Sequence, residues 1–136
     1  MANTKVKYSD DGGKTWFDLK EINGSFGRVL CSYTGRIWIF YLKPEYLITD
    51  PYHYGSYVFN FKIFYIYSDD FGFSWSDEFC MDSYLDFVFE APIDVIEHYN
   101  GSIIISFYRA LGGKIFPVIG ISNDSCQNWT YINKYG

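Results

Sequence analysis

The chain has 136 residues, 49% of them apolar and 20% charged, which is the size and composition of one folded domain and excludes a disordered tail. Aromatic residues reach 23% (14 Tyr, 13 Phe and 4 Trp), a bias toward pleated, half-buried strands that argues against a helical bundle. A net charge of −5 leaves no basic stripe for nucleic acid or for an anionic membrane surface.

The predicted elements begin with a hairpin over residues 1–22, closed by Ser9-Asp10-Asp11-Gly12-Gly13-Lys14-Thr15-Trp16. A connection over 17–27 leads to a strand that starts near Arg28. That strand turns back at Tyr33-Thr34-Gly35-Arg36 into Ile37-Trp38-Ile39-Phe40-Tyr41, a tight x-Gly turn followed by alternating Ile. After a connection over 43–57, the strand Lys62–Tyr67 enters a second box, Ser68-Asp69-Asp70-Phe71-Gly72-Phe73-Ser74-Trp75. An acidic run over 77–90 follows. The x-Gly turn then recurs at Tyr99-Asn100-Gly101-Ser102, and after a connection over 109–114 comes a third box, Ser122-Asn123-Asp124-Ser125-Cys126-Gln127-Asn128-Trp129.

The boxes start 59 and 54 residues apart, counting from Ser9 to Ser68 to Ser122, and the x-Gly hairpins interleave with them. Four-stranded antiparallel units at such a period are what a propeller blade looks like in sequence. The expected fold is therefore all-β, a single domain over 1–136 made of four-stranded antiparallel propeller-type blades. About two and a half blades fit: a half-blade at 1–22 and full blades at 28–79 and 93–136. Each box has its own physics. The Asp accepts backbone amides across the turn, the Gly takes a positive φ, and the Trp ring packs between sheets.

These boxes resemble the Asp-box, or BNR repeat, S-x-D-x-G-x-S/T-W, of sialidases and related β-propellers. The resemblance implies a structural role, away from any central site, for Ser9, Asp11, Gly13, Thr15 and Trp16. It implies the same for Ser68, Asp70, Gly72, Ser74 and Trp75, and for Ser122, Asp124 and Trp129. Cys126 and Asn128 depart from the pattern and leave the shape of the third turn open. Activity does not follow from the likeness. Sialidases need six blades, an arginine cluster, a Tyr–Glu nucleophile pair and an Arg-Ile-Pro motif. This chain has only Arg28, Arg36 and Arg109 and lacks that motif. The reading leans away from an enzyme, with no catalytic residues assigned and a sialidase-type glycosidase the least favoured class.

From Gly35 to Ser68 is 33 positions but from Gly101 to Ser122 only 21, so the first full blade carries about twelve extra residues. They hold Tyr46, Asp50, Tyr52, His53, Tyr54 and Tyr57, whose rings can stack on a sugar and whose polar tips can hydrogen-bond its hydroxyls. Packing against the blade, or against another subunit, is the competing reading of those tyrosines. Arg28 could offer its guanidinium to an anion in a central funnel, with a surface salt bridge as the alternative. Carboxylates within 77–90 could flank a glycosidic bond, with a solvated acidic loop preferred.

Cys31, Cys80 and Cys126 form no C-x-x-C pair and adjoin no His cluster, so they are expected as buried, reduced side chains with no metal and no cofactor. No secretory signal and no run of about 20 apolar residues is present, so a cytoplasmic location is expected. The leading expectation is a non-catalytic ligand-binding protein, an oligomeric Asp-box β-propeller assembly that takes a sugar or small anionic metabolite. A phage-encoded origin, with the protein in the virion or host cytoplasm, fits the aromatic-heavy composition. The alternative is a structural or protein-interaction module. Self-association as a dimer or higher is expected because two or three blades cannot close a ring and the first hairpin has no inner strands of its own.

Overall fold

From Trp38 to Leu42 every side chain is apolar, where a strand with one wet face would alternate. A computed structural model, which describes residues 3–46, 59–81, 94–111 and 114–132, shows why. Trp38, Phe40 and Leu42 point to one side of the strand, Ile39 and Tyr41 to the other, and all five are buried. The strand lies in a sheet covered on both faces.

The strands are β1 (Thr4–Tyr8), β2 (Phe17–Ile22), β3 (Ser25–Cys31), β4 (Ile37–Tyr46) and β5 (Phe59–Ser68). They continue as β6 (Phe79–Cys80), β7 (Asp94–Glu97), β8 (Ile103–Leu111), β9 (Lys114–Ser122) and β10 (Thr130–Ile132). All pairings are antiparallel, and no helix occurs among the described residues. Hence no helix there is long and apolar enough to cross a membrane. β1–β2 is a two-stranded hairpin, while β3-β4-β5-β6 and β7-β8-β9-β10 are four-stranded meanders.

The three sheets stack. One core joins Leu30, Trp38, Phe40, Leu42, Ile63 and Tyr65 of the middle sheet to Val95, Ile105, Phe107 and Val118 of the last. A smaller core on the middle sheet's other face joins Ile39, Tyr41 and Ile66 to Val6 and Ile22 of the hairpin. The tryptophans of the second and third boxes pack on the sheet before their own. Trp75 lies against the hairpin core, and Trp129 meets Phe40 edge-on at 6.4 Å. Trp16, in the first of the described sheets, stays 58% exposed.

Several strand limits differ from those expected. The stretch 17–27 is mostly strand, because β2 and β3 leave only Asn23 and Gly24 between them. The turn there is tight: Gly24 N–H donates to the Ile22 carbonyl at 3.0 Å. A Cβ on Gly24 would stand 2.6 Å from the buried Tyr41 ring. Residues 43–46 extend β4, paired with β5 as far as Tyr46 opposite Phe59. In the last sheet β8 and β9 pair as far as Leu111 opposite Lys114, so the expected 109–114 connection shrinks to 112–113. Long antiparallel ladders carry strands past the point where hydrophobic alternation fades. The cysteines also depart from expectation, for Cys31 and Cys80 are exposed and Cys126 alone is buried.

The three box turns share one bonding scheme. In the first, the Ser9 hydroxyl donates to Asp11 at 2.8 Å and accepts from Gly13 N–H at 2.8 Å. Asp11 also accepts the amides of Lys14 and Thr15, both at 2.9 Å, and the Thr15 hydroxyl. Ser68, Asp70, Gly72 and Ser74 repeat these bonds, except that the Phe73 N–H donates to the Asp70 backbone carbonyl at 3.4 Å. The third turn has the same shape despite its two departures. Cys126 supplies the amide to Ser122, and the Asn128 side-chain amide donates to Asp124 at 2.8 Å where a hydroxyl would otherwise stand.

Candidate functional site

The β3–β4 and β7–β8 turns lie side by side at one end of the stack. Gly35 and Gly101, at φ 92° and 89°, close them; Gly35 N–H donates to the Ser32 carbonyl and Gly101 N–H to the His98 carbonyl. A positive φ at that position suits glycine and forms the usual three-residue hairpin loop. The next residue in each turn immediately precedes the outgoing strand. Because Ile37 pairs with Ser68, Arg36 faces Asp69, and by the same register Ser102 faces Asn123. The Arg36 guanidinium donates to both Asp69 oxygens, at 2.8 and 3.0 Å. It also lies 4.0 Å from the Tyr67 ring centre and 5.2 Å from that of Trp38. Bidentate pairing and two aromatic faces together fix its orientation, and the bonds to Asp69 hold its pKa above the ordinary arginine value.

Across the gap between the sheets, Glu97 of β7 accepts the backbone N–H of Tyr33 at 3.1 Å and so ties one turn to the other sheet. Between them opens a cleft of about 400 Å³ whose polar lining includes Ser32, Thr34, Arg36, Asp69, Glu97 and Ser125. A second hollow of about 420 Å³ lies on the far side of Arg36, against Tyr65, Tyr67, Phe79 and Met81. The first cleft presents two carboxylates against one guanidinium that is already paired. Such a lining repels anions and offers hydrogen bonds to a neutral, hydroxyl-rich group. Among the described residues no group of three His, Cys, Asp or Glu stands ready for a metal.

Of the ligand-binding side chains expected from sequence, only that of Arg28 is described, and it lies elsewhere. Arg28 sits within β3 opposite Phe40, and its guanidinium donates to the Gly27 carbonyl at 3.1 Å. No carboxylate pairs with it among the described residues. Tyr46 ends β4. Its side chain, together with Asp50, Tyr52, His53, Tyr54 and Tyr57, lies outside the described residues, as does 82–90 of the acidic run. Glu78 of that run is exposed but already engaged. It accepts the Tyr41 hydroxyl at 2.5 Å and the Lys43 ammonium at 2.8 Å. Burial pushes its pKa up, but the bonds from Lys43 and Tyr41 outweigh that and hold it below the usual carboxylate range. The Tyr41 hydroxyl is pushed well up, by burial first and by its bond to Glu78 second.

Sequence reasoning passed over Arg36, Asp69 and Glu97. A signal for the first two was present: both sit in variable positions, one after the hairpin Gly and one inside the box, and hairpin register alone sets them opposite each other. Glu97 carried none, since its place depends on how two sheets pack. The class defined so far is an all-β chain of stacked antiparallel sheets with rigid polar turns. No family model matches the chain, and no curated protein matches it either.

Proposed function

We propose that this chain is a non-catalytic binding module of propeller-type Asp-box blades, and that the cleft around Arg36 takes a neutral, sugar-like ligand. The observation that carries the reading is the cleft itself: about 400 Å³, rimmed by hydroxyls and charged groups held in place by rigid turns. Polar groups already oriented before a ligand arrives lose little freedom on binding it. The balance of charge favours a neutral sugar over the anionic metabolite that composition left open. The three box turns of one geometry and the stacking of sheets support the propeller-type reading, with at least one further copy of the chain completing the assembly.

A glycan array followed by thermal shift tests this. Neutral sugars should raise the melting temperature, while sugar phosphates at equal concentration should not. Thr34→Val, which removes an exposed hydroxyl from the rim, should shrink the shift. A response to sugar phosphates alone, or to no glycan at all, overturns the assignment.

A further inference from the structure

The two ends of the stack differ in chemistry. On the hairpin, Lys5 pairs with Glu21 and Lys7 with Asp18 across the strands, and all four side chains are exposed. Val6 and Ile22 turn the other way, into the core. That end is charged, with Lys7 Nζ 3.7 Å from Asp18 Oδ1. At the opposite end, Val95, Ile105, Phe107 and Val118 face the middle sheet. Alternation therefore turns Ile96, Ile104, Ile119, Ile121 and Ile132 outward, in cross-strand register: Ile96 opposite Ile104 opposite Ile121, and Ile119 opposite Ile132. Ile96 is 55% and Ile132 54% exposed. Asp94 and Ser106 share this face, in the row of Ile119 and on its β7 side; the rest is a contiguous branched-aliphatic patch, and such a patch is an interaction surface.

We infer that a second copy of the chain docks here, the β7–β10 face of one against the same face of the other about a twofold axis. The repeat supplies the precedent. Leu30, Trp38, Tyr65 and Tyr67 of the middle sheet occupy the positions of Ile96, Ile104, Ile119 and Ile121, and those that are fully covered are covered by a β-sheet. The occupant that suits the open face is accordingly another sheet. Among the described residues a second copy offers two outer sheet faces, its own isoleucine face and the charged outside of its hairpin. Setting Lys5, Lys7, Asp18 and Glu21 against isoleucines strips four charges of water and gives them no new partners. The isoleucine face sets one charge, Asp94 on the edge strand β7, against those four. Sheets packed face to face interdigitate at about 10 Å, and an isologous contact closes at two copies instead of growing. This deepens the assembly proposed above and is independent of the ligand.

Light scattering and sedimentation of the full chain at micromolar concentration test the inference. The wild-type chain should have the mass of two copies at every concentration above its dissociation constant. Ile119→Lys should raise that constant at least about tenfold, with the circular dichroism of the sheets retained. Trp16→Ala, at the charged end, should leave it unchanged. If Ile119→Lys does not fold, Ile96→Thr weakens the same face more gently and is read in the same way. A wild-type monomer at tens of micromolar overturns the proposal, whether the face is bare or belongs to a different protein. So does a mass that keeps growing with concentration, or a dimer broken by Trp16→Ala and not by the isoleucine variants. A dimer that forms while no glycan binds would sink the ligand reading alone.

Discussion

Position four of each box is left-handed, and three different side chains occupy it: Gly12 at φ 75°, Phe71 at 61° and Ser125 at 58°. Gly12 adopts this conformation freely, whereas the Cβ of Phe71 meets its neighbouring carbonyl. The Phe71 ring gains little in return, being 80% exposed. Phe71→Gly should therefore stabilise the chain by about 0.5–1 kcal/mol, relief of strain exceeding the loss of unfolded-state order; a urea midpoint that falls or stays put would contradict this. The box carboxylates give a second prediction. Thr15 and Ser74 hydroxyls, then backbone amides, hold Asp11 and Asp70 down from 3.8 to about 2. A pKa lower in the folded state than in the unfolded one contributes stability above about pH 4 that is lost as pH falls toward 2. Melting temperature should accordingly drop across that window, and less steeply in Asp70→Asn, which has no proton to gain. The role of these side chains was legible because Asx bonding is local. The exchange of partners in the third box was not. There the Cys126 carbonyl accepts the Tyr65 hydroxyl at 3.2 Å from the neighbouring sheet. Trp129 Nε1 is left buried without a hydrogen-bond partner, although Trp16 and Trp75 each reach the matching glycine carbonyl at 3.0 Å.

At the scale of elements, the order of hairpins could be read from the boxes and x-Gly turns, since each is a short-range signal with its own residues. Strand ends could not. Lys43, Pro44 and Glu45 look like a loop, yet the ladder runs through all three, to Lys62, Phe61 and Asn60. Backbone pairing started by the buried centre of β4 and β5 continues where side chains no longer demand it. The last sheet shows that the connection beyond is dispensable to the ladder, because β8 and β9 join through Gly112-Gly113 alone. Replacing residues 47–58 with Gly-Gly should leave the circular dichroism unchanged and the melting temperature within a few degrees. Collapse of the β-spectrum would mean that the tyrosines of this stretch belong to the core.

At the scale of the whole molecule, the cleft around Arg36 and the isoleucine face depend on which sheet lies against which, and no local pattern encodes that. Their constituents were visible; their meeting was not. The same stacking predicts how the molecule opens. The middle sheet is half of both cores: Ile39, Phe40 and Leu42 are 0% exposed and Tyr41 1%, with hydrophobic layers on either side. Freeing a β4 amide requires the loss of both layers, which amounts to unfolding the chain. Among the described residues the β1–β2 hairpin touches the rest through one face, centred on Val6 and Ile22. Val29 of β3, 46% exposed on that side, shows how little of the middle sheet's inner edge it covers. Lifting the hairpin away uncovers one small core and spares the larger one, so it is a sub-global opening of lower free energy. Hydrogen exchange on the intact chain should then give amides of residues 39–42 a protection equal to the global stability from urea unfolding. Amides of residues 5–8 should exchange faster, with a weaker dependence on denaturant because less surface is exposed. Equal protection in the two strands would mean that the hairpin and the sheets open as a single unit, and that the smaller core is as strong as the larger.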